Sequence, residues 1–376
     1  VAEAPARGPF APGWTARLIA RPGFQRFAAR VPGLRRIARA EGAALFDLMQ
    51  GFVRSQVLMA LVELRLLHRL ADAPATAAVL APGSGVAPER MQVLLQAGAG
   101  VGLLKRRRDG RFALARRGAA FLGVPGLEAM VRHHAVLYRD LADPAAFLRG
   151  ESEPELARFW PYVFGAAAAD DPEAAQRYSG LMADSMALVA ADTLRSVRLK
   201  GVRHLMDIGG GTGTFLAAVG AACPDLELSL FDLPEVVAGA PPVLRGAGIA
   251  GRVTIHAGSF RDDPLPEGAD AISLVRVLYD HGDDTVAALL RAVHGVLPPG
   301  GRVIVSEPMS GGARPDPSTD VYFAIYTLAM RTGRVRSPAE IRTALADAGF
   351  AETAPSRGDR PYVTQVMTAR KAVSAA

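Results

Sequence analysis

The chain has 376 residues, half of them hydrophobic, and carries a net charge of +6 with a single cysteine. That length exceeds one ordinary core and divides into two domains, no uninterrupted apolar run approaches the ~20 residues of a spanning helix, and one thiol, Cys223, excludes an internal disulfide and makes a poor metal ligand. No basic, apolar, small-residue order of a secretory signal opens the sequence, so a cytoplasmic protein is expected.

Residues 1 to 40 form a basic arm. Arg17, Arg21, Arg26, Arg30, Arg35, Arg36 and Arg39 alternate with Leu18, Ile19, Phe24, Phe27, Leu34 and Ile37, and five prolines are expected to break the arm into short pieces. Such a segment can rest on an anionic membrane surface, grip nucleic acid or cover a partner helix. From Ala43 to Leu70 apolar residues recur at helical spacing through Phe46, Met49, Val53, Val57, Leu61 and Leu64. Two further helices follow, one ending near Leu80 and one over 88–99. The stretch GLLKRRRDGRFALARRG then reads as a hairpin turning at Asp109 and Gly110. Helices followed by a basic hairpin suggest a winged helix, which can bind DNA.

The pattern is helical again from Glu128 to Leu199. Beyond Gly201 the texture changes to short β-branched runs, HLMDIG, LELSLFDL, VTIHAG, AISLVRVL and GRVIVSEP, separated by helical lengths such as 214–222 and 284–296. Alternation of this kind predicts a doubly wound, mainly parallel sheet. The fold class is therefore α/β, with a C-terminal Rossmann-like sheet over 200–376 and an N-terminal, mostly helical, winged-helix-like domain over 41–199.

The run DIGGGTGT places Asp207, Gly209, Gly211 and Gly213 between the first strand of that sheet and a helix. A dinucleotide fingerprint needs its third glycine three residues after the second, where this chain has Thr214, so the match to a pyrophosphate ligand is poor. Glycines let a backbone approach a ligand closely, and Asp207 can orient a cationic group. Asp232 ends the second strand, where a carboxylate can accept from both ribose hydroxyls. Ser259 and Phe260 follow the third, placed to border an adenine. An adenosine site without phosphate recognition suits S-adenosylmethionine. Read alone, the glycines could be a tight turn and Asp232 a helix cap.

These residues, with FDLMQGFVRSQVLMALVELRLL, RYSGLMADSM, FDLPEVV, RVLYDHGDD, LPPGGRVIVSEP and PAEIRTALADAGF, resemble the plant-type, caffeate-like S-adenosylmethionine O-methyltransferases over nearly the whole chain after residue 40. The resemblance implies that the N-terminal domain builds a homodimer and part of the acceptor pocket. It also argues against nucleic acid as a partner. More narrowly, AEGAALFDLMQGFVRSQVL and LVRVLYDHGDD are similar to carotenoid O-methyltransferases of purple phototrophic bacteria, which methylate the tertiary C1 hydroxyl of acyclic carotenoids. A bacteriochlorophyllide C-methyltransferase, a phenol or polyketide O-methyltransferase and a winged-helix regulator are the competing readings.

Most of that family ends the motif in His-Asp-Trp, the histidine serving as general base. Here its position holds Tyr279, and the tryptophan position holds His281. Glu307 keeps one of the two family glutamates, while Val335 replaces the other. A tertiary alkanol is far less acidic than a phenol, so its proton is expected to leave during or after methyl transfer, with Tyr279 orienting the hydroxyl and His281 accepting the proton directly or through water. Alternatively, Tyr279 fills space and His281 caps the following helix or bonds a backbone carbonyl. Asp283 and Asp284 are expected to favour that helix's N-terminus. Arg276 is grouped with the cofactor residues. The resemblance places His133, His134 and Met182 at the acceptor pocket; each also has a plain structural reading, as a hydrogen-bonded histidine or a core methionine.

Overall fold

A computed structural model describes residues 13–159, 185–356 and 358–373. The chain divides into two compact units, one ending at Ala120 and the other starting at Phe121.

The first unit opens with α1 (Trp14–Ile19), α2 (Pro22–Ala28) and α3 (Pro32–Met49). Pro22 and Pro32 stand at the first helical positions, where a missing N–H costs nothing and the fixed φ suits the helix. The prolines thus start helices as well as separating them, and α3 runs past residue 40 to Met49. The expected helix over 43–70 is interrupted twice. A break at Gln50 leads into α4 (Gly51–Glu63), and the left-handed Arg65, at φ 52°, leads into α5 (Leu66–Asp72). No single helix among the described residues is long and apolar enough to cross a membrane; α3 and α4 together reach the length but bend by 49°. α6 (Ala77–Leu80) and α7 (Pro88–Gly100) pack beside an antiparallel hairpin of β1 (Leu104–Arg106) and β2 (Phe112–Leu114), which Ala75 joins as a third, isolated bridge. Leu61, Leu66, Leu67, Met91, Leu95 and Phe112 are fully buried and form its interior. This is the winged-helix-like arrangement anticipated from the basic hairpin.

α8 (Arg116–Leu122) leads into the second unit, where α9 (Leu127–Asp140), α10 (Pro144–Leu148) and a helix α11 over 185–196 precede the sheet. The strands are β3 (His204–Ile208), β4 (Glu227–Asp232), β5 (Val253–Ala257), β6 (Ala271–Val275), β7 (Arg302–Glu307), β8 (Phe350–Ser356) and β9 (Gln365–Lys371). Their order is β5-β4-β3-β6-β7-β9-β8. The first five are parallel, and β9 runs antiparallel between β7 and β8. Every residue of β6 is buried, as expected for a central strand covered on both faces. The order reverses between β3 and β6, so the crevice at their carboxyl ends is where such sheets bind ligands.

Helices α12 (Thr214–Ala222), α13 (Pro234–Val237), α14 (Ala240–Gly246), α15 (Asp283–Val296), α16 (Ala324–Ala329) and α17 (Pro338–Asp347) complete the unit. A π-turn over Thr319–Phe323 feeds α16. Ser337 and Glu340 form a reciprocal capping box at the start of α17, satisfying two orphan donors.

Candidate active site

The glycine loop leaves β3 as its spacing predicts. Gly209, Gly211 and Gly213 all have positive φ, at 68°, 62° and 82°, which side chains rarely adopt. Gly209 is further constrained, because an added Cβ would lie 2.8 Å from Val277 Cγ2. Gly211 instead faces open space, so the loop offers an exposed backbone cradle.

Two carboxylates serve the loop. Asp232 accepts from the backbone N–H of Gly211 and of Leu233, each at 2.7 Å, which fixes the end of β4 against the loop. Burial raises its pKa to about 6 despite those bonds. Asp207 is buried beneath the loop. Its Oδ1 accepts from the Ser273 hydroxyl at 2.6 Å, and its Oδ2 has no hydrogen-bond partner among the described residues. Burial pushes its carboxyl up to about 7. A buried oxygen without a partner, under a glycine cradle, fits a cationic or hydrogen-bonding ligand group.

Ser259 closes a turn after β5, its N–H and hydroxyl donating to Asp263 and Asp262 at 2.8 and 2.9 Å. The neighbouring Phe260 meets His281 edge to face, ring centroids 5.2 Å apart. His281 is buried, and Arg261 donates to its Nδ1 at 3.0 Å. Burial, with Arg261 and Arg336 alongside, lowers its pKa to about 3. It does not cap α15, whose N-cap is Gly282; Asp283 and Asp284 occupy the first turn.

Tyr279 is also buried. Its backbone N–H donates to Glu307 Oε2 at 3.1 Å, and its hydroxyl accepts from Arg276 Nη2 at 3.2 Å. Desolvation raises its pKa strongly. Arg276, itself at φ 58°, uses its other terminal nitrogen on the Ser185 hydroxyl at 2.8 Å. Glu307 and Asp280 each bury one carboxylate oxygen, Oε1 and Oδ1, that lacks a partner among the described residues. Burial holds the Glu307 carboxyl near 7 and lifts that of Asp280 well above the carboxylate range.

Facing this turn are two histidine–tyrosine pairs that join α9 to the π-turn and α16. His133 Nε2 lies 2.8 Å from the Tyr326 hydroxyl, and His134 Nε2 lies 2.7 Å from that of Tyr322. Burial lowers both imidazole pKa values, that of His133 to about 4, and so favours the neutral rings. Desolvation raises the Tyr326 pKa strongly, and Tyr322, Tyr279, Arg276 and Asp280 also act electrostatically on its hydroxyl. Val335, at the position of the second family glutamate, is buried, and Met182 lies outside the described residues.

Asp280, Tyr322, Tyr326 and Ser185 were not singled out from sequence. The two tyrosines stand four apart, the spacing that puts side chains on one helical face, and that was the available signal.

Two family models match the chain: an O-methyltransferase domain over residues 138–351 and an O-methyltransferase dimerisation domain over residues 46–123. The chain is 66% identical to a demethylspheroidene O-methyltransferase of Cereibacter sphaeroides, covering 92% of this chain and 91% of the relative. It is 56% identical to the enzyme of that name from Rhodobacter capsulatus, covering 91% and 85%. Among solved structures, mitomycin 7-O-methyltransferase superposes with a TM-score of 0.75 at 26% identity, covering 89% of this chain and 99% of the other. Human N-acetylserotonin methyltransferase, solved with S-adenosylmethionine, superposes with a TM-score of 0.75 at 24% identity, covering 89% and 98%.

Proposed function

The chain belongs to the O-methyltransferase family that joins a methyltransferase domain to a dimerisation domain, and from that premise we propose that it methylates the tertiary C1 hydroxyl of an acyclic carotenoid of the demethylspheroidene type. The observation that carries this reading is the likeness, over nine-tenths of the chain, to two demethylspheroidene O-methyltransferases. S-adenosylmethionine is the cofactor, and it supplies an electrophilic methyl group on a sulfonium. The dimerisation-domain match supports a homodimer.

The residues divide the work. The carboxylate of Asp232 is placed to take the ribose hydroxyls. Ser259 and Phe260 border the base, and Asp207 with the Gly209–Gly213 backbone receives the charged amino-acid end. His281 wedges Phe260 in place. On the acceptor side, Glu307 fixes the backbone of Tyr279 while Arg276 fixes its hydroxyl, so the phenol is presented in one orientation. Alignment of acceptor oxygen with the methyl group is worth about 7–11 kcal/mol in favourable cases, which is the larger part of what a site can offer so weak an acid. The His133, His134, Tyr322 and Tyr326 cluster forms the polar floor of the acceptor pocket, to which Met182 is assigned.

The arm has a role consistent with a water-insoluble acceptor. Between residues 13 and 40 there are seven arginines and no acidic residue, more charge than the chain's net +6. Trp14, Ile19, Phe27 and Ile37 are exposed beside them. The arm precedes both family models. It holds a cytoplasmic enzyme peripherally on an anionic membrane face.

The test is turnover. Incubation with S-adenosylmethionine and a 1-hydroxy acyclic carotenoid in detergent, alongside a catechol and a chlorophyllide, is read by mass spectrometry. Added methyl on the carotenoid alone supports the proposal. Methylation of either other acceptor in its place overturns the carotenoid assignment.

A further inference from the structure

We infer that the Tyr326–His133 pair receives the acceptor's proton, Tyr326 taking it from the hydroxyl as its own passes to His133. The inference rests on the methyl-transfer reading above and concerns the residue that replaces the family's missing imidazole.

The other candidates are already committed. The Tyr279 hydroxyl accepts from Arg276, a guanidinium that cannot take a proton onward. His281 faces Phe260 and Arg261, with Nδ1 engaged as an acceptor. Asp280 keeps one buried oxygen, Oδ1, without a hydrogen-bond partner among the described residues, and burial lifts its carboxyl well above the ordinary value; the Asp280→Asn variant tests it as the rival. Tyr322 is shared between His134 Nε2 and the Met130 sulfur, 3.9 Å away. Tyr326 is a buried phenol whose pKa desolvation raises, as it does that of Tyr279, but its hydroxyl is paired with a base instead of a cation. Behind it stands a neutral imidazole whose Nε2 is 2.8 Å from the phenol oxygen. The π-turn that delivers this face is an irregularity of a kind frequent at functional sites.

The step balances. A lone pair of the acceptor oxygen forms the O–C bond as the C–S bond breaks with its electrons on sulfur. The O–H bond then breaks towards Tyr326 Oη, and the Tyr326 proton moves to His133 Nε2. An alkylated hydroxyl is a strong acid, so even a buried imidazole of low pKa can take its proton. Methyl transfer leaves His133 protonated, and it returns the proton to solvent before the next turnover.

The experiment measures kcat, KM and cofactor affinity for Tyr326→Phe, His133→Gln, the double variant and Asp280→Asn, on whichever acceptor the unmodified protein methylates. Failure of the unmodified protein on the carotenoid therefore bears on the substrate reading alone. The relay requires each single variant to lose about 100-fold or more in kcat, with KM within about threefold and calorimetric S-adenosylmethionine affinity unchanged. The double variant should be no worse than the poorer single one, because residues acting as one unit are not additive. Single variants within threefold of wild type in kcat, multiplicative losses in the double variant, or losses confined to Asp280→Asn would each overturn it.

Discussion

The guanidinium of Arg336 grips Asp283, with Nη2 2.7 Å and Nε 2.9 Å from Oδ1. The same group donates to the backbone carbonyls of Leu278 and His281, each at 2.8 Å. One nearly inaccessible arginine, 2% exposed, thus ties the start of α17 to the start of α15 and clamps both ends of the turn that carries Tyr279 and Asp280. It also lowers the carboxyl pKa of Glu307 against the effect of burial.

Replacing Arg336 by leucine removes the donor to the buried His281 carbonyl, a loss of about 1–3 kcal/mol, and one of two donors to the Leu278 carbonyl, which keeps the His281 N–H at 3.1 Å. It also breaks the ion pair to Asp283. Urea unfolding should show a loss of about 3 kcal/mol, and kcat should fall with it because the turn is no longer held. A variant within about 0.5 kcal/mol of wild type would show that the clamp is dispensable.

Asp232 has a pKa raised to about 6, and its ionised form is the one that accepts from ribose. Above pH 6 the carboxylate is present; below it, protonation removes the acceptor. Cofactor affinity measured calorimetrically should be flat from pH 7 to 8 and weaken about tenfold per unit below 6. Asp232→Asn should bind about 10–100-fold less tightly at pH 7.5, the loss expected for charge-assisted hydrogen bonds, and should lose the pH dependence. An unchanged profile in the variant would assign the titration elsewhere.

Asp207 presents a trade between stability and binding. Its folded pKa, about 7, lies above the unfolded value near 4, so the folded state holds the extra proton in that window and stability falls as pH rises from about 4 to 7. Asp207→Asn should therefore melt above wild type at pH 8, with the gap closing towards pH 5, while cofactor affinity drops. Equal differences at both pH values would show that the carboxylate is not held by burial.

Much of this site is written locally. The strand runs that lead to Asp207, Asp232 and Glu307 fall on β3, β4 and β7, and the helix expected over 214–222 is α12 with those limits. Parallel buried strands advertise themselves as apolar runs, and a glycine loop by its spacing. The hairpin was equally legible because its turn residues are adjacent in sequence. The clamp and the histidine–tyrosine pairs were not, since His133 and Tyr326 are 193 residues apart and Arg336 reads as one more surface arginine. Long-range polar pairing leaves no periodic mark. Helix boundaries in the first unit also escaped, because the break at Arg65 uses a left-handed residue that is not glycine.

The arm yields the last prediction. Its arginines face solvent with exposed Trp14, Ile19, Phe27 and Ile37, a combination in which basic charge is worth about 1 kcal/mol per residue near an anionic bilayer. Full-length protein with Arg17, Arg21, Arg26 and Arg30 changed to glutamine should bind vesicles containing phosphatidylserine at least about 100-fold more weakly than wild type, with unchanged turnover of detergent-dispersed acceptor. Wild-type flotation should fall steeply between 0.1 and 0.5 M salt, roughly as the screening length shortens from about 10 Å, whereas vesicles of neutral lipid should bind little at any salt. Deleting residues 1 to 31, which ends before α3 begins, should abolish flotation. Equal binding of wild type and the arginine variant to anionic vesicles would remove the arm from membrane attachment and leave its exposed apolar residues to pack in the dimer.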